Sequence, residues 1–175
     1  MPAGNTYEAI ATQTLGSAVS SVTFSSISGA YTDLVLVVSG LSDNSANIYE
    51  AMYMQVNSDT GSNYSNTSLY GDGSSATSGR ATSATSVEIT RLNSTFSSNT
   101  APGTEIVQLQ NYSNATTYKT FLGRTSNIPN GNLNVGAVVG LWRNTAAITS
   151  IKVGPVVGTN FVAGSTFSLY GIKAA

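Results

Sequence analysis

The chain contains neither cysteine nor histidine. Disulfides, thiolate nucleophiles and sulfur metal sites are excluded together. No Ser-His or Cys-His nucleophile pair can form, which removes most hydrolase mechanisms. Charge is also scarce: seven basic and eight acidic side chains in 175 residues leave a formal net charge of −1. The Lys and Arg residues are scattered, so no field exists to hold a phosphate backbone, and nucleic acid is not an expected partner. Long apolar runs are missing too. The longest, Leu34 to Val38, falls far short of the roughly 20 residues of a membrane helix and fits a buried strand. Met1 to Ile10 lacks the basic start and apolar centre of a signal peptide. Neither a membrane location nor a secretory route is expected.

What is present is neutral and polar. Ser, Thr and Asn supply 26, 22 and 16 residues, replacing the charged side chains that solubilise ordinary domains. A hydrophobic fraction of 41% still provides enough Val, Ile, Leu, Phe and Tyr to offset the entropy of ordering, so the chain should fold. At this length one domain, 1–175, is expected. Near-neutrality gives weak electrostatic protection against self-association, and a sheet with few Lys on its edges is open to edge pairing. A multimer is the natural setting for such a chain.

Apolar residues alternate with Ser, Thr and Asn, and short alternating runs are separated by Gly, Asn, Asp and Ser clusters. This spacing is the signature of an antiparallel sandwich or barrel, and the expected fold is an all-β, antiparallel β-sandwich of about 8–11 strands. Strands are placed at Tyr7 to Leu15, Val19 to Phe24, Asp33 to Ser39, Ile48 to Asn57, Ser68 to Tyr70, Ser86 to Leu92, Glu105 to Asn111, Tyr118 to Arg124, Asn134 to Trp142, Ile148 to Val153 and Thr166 to Lys173. Period-2 geometry assigns faces. In Ile48 to Val56 the core face carries Ile48, Met52, Met54 and Val56, and the other carries Tyr49, Ala51, Tyr53 and Gln55. In Asn134 to Trp142 the more apolar set, Val135, Ala137, Val139 and Leu141, is expected inside. Gly136 and Gly140 on the opposite face permit close approach of another layer or subunit. Leu34 to Val38 has no polar break, so both faces of a central strand should be covered. The polar stretch from Asn57 to Ser86 reads as a long irregular loop, a usual place for function or for contact with neighbours.

Chemistry has little to build on. Two carboxylates roughly 5 to 10 Å apart can serve a glycosidase, and the candidates are Glu8, Asp33, Asp43, Glu50, Asp59, Asp72, Glu88 and Glu105. None lies in a catalytic motif, and solvated or turn-forming roles account for all eight. Asp59-Thr60-Gly61 and Gly71-Asp72-Gly73 each offer calcium one ligand where six to eight oxygens are needed; both are ordinary turn sequences. The five Asn-x-Ser/Thr sequons, at Asn63, Asn66, Asn93, Asn111 and Asn114, are what this composition gives by chance. The reading is of a non-enzyme with no cofactor, no metal and no catalytic residues. Aromatics are more informative: nine Tyr and one Trp, with Tyr49, Tyr53, Tyr64 and Tyr70 near the polar stretch. Tyrosine offers apolar area and a hydroxyl at low entropy cost, which suits protein interfaces and sugar platforms alike.

Several segments carry a resemblance: Met54-Gln55-Val56-Asn57-Ser58-Asp59 followed by Gly61-Ser62-Asn63-Tyr64-Ser65, then Leu69-Tyr70-Gly71, and the closing Phe167-Ser168-Leu169-Tyr170-Gly171-Ile172-Lys173. In these the chain resembles small virion proteins of tailed bacteriophages, especially phages of marine bacteria and cyanobacteria. The likeness covers mainly the middle and the C-terminal strand and transfers no catalytic residue. It implies a jelly-roll-like sandwich displayed on a virus particle assembled in the host cytoplasm. Many fibre proteins of this kind add a long N-terminal attachment region, whereas here the first strand begins almost at Met1. The expectation is a capsid decoration or cement protein, a homo-oligomer with a trimer favoured, clamping the major capsid protein through Tyr49, Tyr53, Tyr64, Tyr70 and Trp142. The alternative is a tail-fibre or tail-tip module binding a host surface glycan.

Overall fold

The computed structural model describes residues 6–98, 100–131 and 134–173. Alternating sequence becomes twelve strands among these residues: β1 (Tyr7–Thr14), β2 (Val22–Phe24), β3 (Asp33–Ser42), β4 (Tyr49–Val56), β5 (Tyr64–Gly71), β6 (Ala76–Ala84), β7 (Val87–Ser94), β8 (Gly103–Gln110), β9 (Lys119–Asn127), β10 (Asn134–Trp142), β11 (Ile151–Pro155) and β12 (Thr166–Ile172). A single 3-10 turn, Pro129–Gly131, is the only helical element described. Every strand pairing is antiparallel except a two-residue parallel join, Leu41 with Asn93 and Ser42 with Ser94, between β3 and β7. That join links two sheets into one folded ladder.

The strand order decides the architecture. One sheet contains β1-β12-β3-β8 and the other β2-β11-β4-β7, so the chain crosses between sheets at β1–β2, β2–β3, β3–β4, β7–β8 and β11–β12, and again in passing from β8 to β11. Two four-stranded sheets wound in this way form a jelly roll. The remaining strands are insertions. The hairpin β5–β6 leaves between β4 and β7, β9–β10 leaves between β8 and β11, and together they continue the first sheet as β8-β9-β10-β5-β6.

The core lies between the sheets. Leu34, Leu36 and Val38 of β3, Val107 and Leu109 of β8, and Phe167 and Leu169 of β12 face Val22, Phe24, Met52, Met54, Val56, Ile151 and Val153, all buried. Each such side chain stabilises the fold by about 1.5–3 kcal/mol. Phe161 and Phe167 pack tilted, with ring centroids 4.9 Å apart. β3 is central, between β12 and β8. Its second face is covered at Val35, 5% exposed, and half-covered at Val37.

Two expectations are corrected. The stretch from Asn57 to Ser86 is not a long loop: it contains all of β5 and β6. β6 is the outermost strand and is exposed along nearly its whole length on both faces, so it has no buried face to impose an apolar period. In β10 the faces are the reverse of those expected. Gly136, Val138, Gly140 and Trp142 point inward, while Val135, Ala137 and Val139 are exposed. The glycines do admit another layer, but that layer is the protein's own: a Cβ at Gly140 would run into Val87 of β7, and one at Gly136 would sit 2.6 Å from the Tyr70 ring.

Candidate functional site

The eight carboxylates are sorted by the fold. Glu50, on the core face of β4 and fully buried, accepts from the backbone N–H groups of Val156 (2.9 Å), Val157 (2.8 Å) and Gly158 (2.6 Å) and from Asn44 Nδ2 (2.8 Å), fixing the loop after β11. Asp43 accepts from the N–H groups of Thr159 and Asn160, both at 2.8 Å. Asp33 accepts from the Asn111 N–H. Asp72 closes its own turn with four bonds from Ser74 and Ser75, which hold its carboxyl well below the usual range. Glu8 pairs with Lys173 and Tyr31 at the sheet edge. Asp59 accepts Trp142 Nε1–H at 2.7 Å and Asn63 Nδ2–H at 2.9 Å, and these bonds lower its pKa. Six carboxylates are therefore structural. Two remain, Glu88 and Glu105.

Three of the five expected contact residues are also structural. Trp142 and Tyr64 stand opposite each other across β10 and β5 and stack, with centroids 6.4 Å apart and planes at 21°. Both are essentially unexposed. The Tyr64 hydroxyl lies among Val56 N–H, Val56 C=O and Asp59 C=O, and burial pushes its pKa up to about 12. Tyr70 is 6% exposed. Trp142 and Tyr64 cannot meet another protein or a sugar without unfolding the region, so their assignment to a contact surface is withdrawn, and Tyr70 shows only a small part of its surface to the groove described below. The position of Tyr64 and Tyr70 in a polar stretch concealed their burial, because β5 alternates Tyr with Asn and Ser on its inner face.

Tyr49 and Tyr53 do lie on the outward face of β4, both half-buried. Tyr53 covers Gly154 of the neighbouring β11, where a Cβ would come within 2.6 Å of its ring. Tyr49 belongs to a more elaborate arrangement. The Arg91 guanidinium carbon sits 4.4 Å from the Tyr49 ring centroid and 3.7 Å from that of Tyr70, so the cation is held by two rings. Tyr70 in turn donates its hydroxyl to Glu88 Oε1 at 3.1 Å. Burial, and then the Glu88 charge, push the Tyr70 hydroxyl far above its ordinary pKa, against the opposing pull of Arg91.

Beneath this group is Glu105. It stands on the inner face of β8 with no exposure, and neither carboxyl oxygen has a hydrogen-bond partner. Burial, reinforced by the Glu88 charge, raises its pKa well above the ordinary value. A carboxyl so placed keeps its proton, since an isolated buried carboxylate is costly. Because it lines no opening, it has no access to a substrate that it might protonate. Other buried acceptors nearby also lack donors: Thr90 Oγ1, Asn93 Oδ1, Asn127 Oδ1 and Asn134 Oδ1.

The arrangement opens to solvent through a groove. The β5–β6 hairpin overhangs β7, and the space between them is lined on one side of Arg91 by Ile48, Tyr49, Asp72, Ser74, Ser75 and Asn134. On the other side are Asn66, Ser68, Ser78, Gly79 and Glu88. Tyr70, Thr77 and Arg91 line both hollows, so Arg91 stands at the boundary where the two halves of this polar groove adjoin.

A second surface lies on the opposite side of the same strands. On the outer face of β5, β10 and β9, Leu69 (61% exposed), Val135 (61%) and Val139 (54%) form an apolar patch together with Ala137. The register places Leu69 beside Ala137 and Leu122 beside Val139. Arg124, opposite Ala137 on β9, is its nearest charged neighbour in the ladder. No motif marks this patch, but exposed apolar residues on alternate positions of adjacent strands are the signal that would have found it once the faces were correctly assigned.

Among the described residues no cluster of three or more acidic side chains is gathered as metal ligands would be, and no helix is long and apolar enough to cross a membrane. No protein-family model matches the chain and no curated protein matches it.

Proposed function

We propose that the chain is a non-enzymatic structural component of a bacteriophage virion, a capsid decoration protein that seats the outer face of its larger sheet on the shell formed by the major capsid protein. The observation that carries this reading is the reversed polarity of β10 and β5. Val135, Ala137 and Val139 of β10 and Leu69 of β5 face outward there, while the inner face mixes the buried Trp142, Val138, Tyr64 and Tyr70 with glycine, asparagine and serine. An exposed apolar patch on a chain with so few charges marks a surface that another subunit covers. The jelly-roll order of the eight central strands and the resemblance in the β4–β5 and β12 segments support the same assignment. The use of five carboxylates, Asp33, Asp43, Glu50, Asp59 and Asp72, to hold loops and turns also fits a rigid structural protein.

Contact through this face replaces contact through buried rings. Several copies, expected as trimers, would each bury one apolar patch, and modest individual contacts add through effective concentration. A host-recognition module built on Tyr64 and Tyr70 would need rings that the fold has already used. The assignment is tested by adding the purified protein to shells assembled from capsid protein alone. Saturable binding in hundreds of copies is expected, lost when Leu69 and Val139 are both replaced by Glu while the circular dichroism spectrum is retained. Copies found by quantitative mass spectrometry only in isolated tails would overturn the shell assignment.

A further inference from the structure

We infer that the groove under the β5–β6 hairpin is a binding site for an acidic oligosaccharide, with Arg91 receiving a carboxylate of the sugar. This does not rest on placement in a particle, since it concerns the opposite face of the sheet.

Arg91 is held as a recognition group is held. Its backbone carbonyl is fixed by Thr125 Oγ1–H at 2.7 Å and Asn127 Nδ2–H at 3.3 Å. Its guanidinium is fixed by the Tyr49 and Tyr70 rings. Tyr70 is itself braced by Glu88 and by the Gly136 backbone behind it. Yet the guanidinium makes no ion pair and no hydrogen bond with any described residue; the one salt bridge of the described chain is Lys173 with Glu8. Stacking leaves the donor edge of a guanidinium free, and that edge matches a carboxylate in a two-pronged fashion. A positioned cation with unengaged donors at the boundary between the two halves of a groove calls for an anion from outside.

The rest of the lining gives the anion its context. Ser68, Ser74, Ser75, Thr77, Ser78, Asn66 and Asn134 surround Arg91 with hydroxyls and amides on both sides. Sugar hydroxyls can donate to such groups. The negative charge of Asp72 is satisfied by its four turn bonds and that of Glu88 accepts the Tyr70 hydroxyl, so neither neutralises Arg91 by contact. An extended acidic peptide fits less well, because it would need a strand edge for its backbone. β5 is paired on both sides, β7 is paired with β4 on one side and packed by its Ile89 carbonyl against Gly123 on the other, and the open edge of the outermost strand β6 is the one turned away from β5.

The experiment is calorimetric titration of the full chain with oligogalacturonate and with its methyl ester, which keeps the backbone and removes the charge. Binding of the acid is expected, with affinity lower by roughly tenfold or more for the ester and for R91K, which retains the charge without the planar fork. K152Q, on the solvent face of β11, should bind as the parent does. The ester comparison needs no variant, so a folding defect in R91K leaves the test intact. Equal affinity for acid and ester, no binding of either, or unchanged binding by a folded R91K would overturn the proposal. Tighter binding of poly-glutamate than of oligogalacturonate would overturn the sugar assignment in favour of an acidic peptide.

Discussion

The eight strands of the jelly roll and the four that extend its larger sheet share one backbone ladder but distribute polarity in opposite ways. In the jelly roll, Leu34, Leu36, Val38, Val107, Phe167 and Leu169 face inward, and the paired outer positions Thr12, Thr14, Thr166 and Ser168 of β1 and β12 are polar. In the extension, Leu69, Val135, Ala137 and Val139 face outward, and Asn66, Ser68, Thr125 and Asn127 face inward beside the glycines that allow β7 to approach. The first arrangement is that of a domain whose core is complete. The second is that of a wall with a polar groove on one side and an exposed apolar face on the other. Stability and function are thus expected to separate along the boundary between β8 and β9, and substitutions can test how sharply.

The largest effect is expected where the extension does have a core. Trp142 and Tyr64 stack at the end of β10 nearest the closed sandwich, with Asp59 accepting from the indole. Replacing Trp142 by Ala should cost about 3–5 kcal/mol, the range for a large buried ring, and should appear as a lower urea midpoint. A loss under about 1 kcal/mol would mean that the extension unfolds independently of the jelly roll, and the comparison would have to be redrawn as two units.

Next is Glu50, inside the jelly roll. E50A leaves the N–H groups of Val156, Val157 and Gly158 without their acceptor, and unmade buried hydrogen bonds are costly. About 3 kcal/mol of destabilisation is expected, with E50Q losing less because one acceptor oxygen survives. Equal losses in the two variants would show that the charge matters more than the bonds.

Much of this division was legible in the sequence, and the failures have a physical pattern. Alternation located most strands, and in β4 it separated the core face of Met52, Met54 and Val56 from the Tyr49 and Tyr53 face correctly. It failed in β10 because an apolar period shows which residues share a face and not which face is inside. Val135, Ala137 and Val139 outweigh Gly136 and Gly140 on any hydropathy measure, so the outward face looked like the core. It failed in β6 because an edge strand exposed on both sides carries no period. Arg91 was invisible as a site residue. Its partners, Tyr49 and Tyr70, lie 42 and 21 positions away and are brought to it only by the β4–β7 pairing and the fold of β5 over β7.

A smaller effect is expected at Glu105, where the extension meets the jelly roll. Its raised pKa means that the folded chain holds this proton more tightly than the unfolded chain does. Below the ordinary value near 4.5 both states are protonated and the group is neutral to stability. As pH rises past that value the unfolded chain releases its proton and gains, so folding stability falls until the folded group ionises too. E105Q removes the titration. Its Tm should exceed that of the parent by a few degrees at pH 8, and the difference should shrink toward zero at pH 4. A difference independent of pH would mean that Glu105 finds a donor in solution and is ionised in the fold.

The smallest effect on stability is expected at the outer face of the extension, and there the comparison is most easily broken. Val139 is 54% exposed and Leu69 61% exposed, so V139S and L69S should each change unfolding free energy by no more than about 0.5 kcal/mol, as surface substitutions usually do. The corresponding substitution in the jelly roll, V38S, puts an unpartnered hydroxyl in a fully buried site and should cost several times more. If the outer-face variants also leave self-association and shell binding unchanged, the patch is incidental, and the reversed polarity of β10 reflects only the groove behind it. If they abolish binding while the urea midpoint stays in place, the four strands were added to carry a surface, because a wall whose apolar side contributes nothing to its own fold has that side available for another chain.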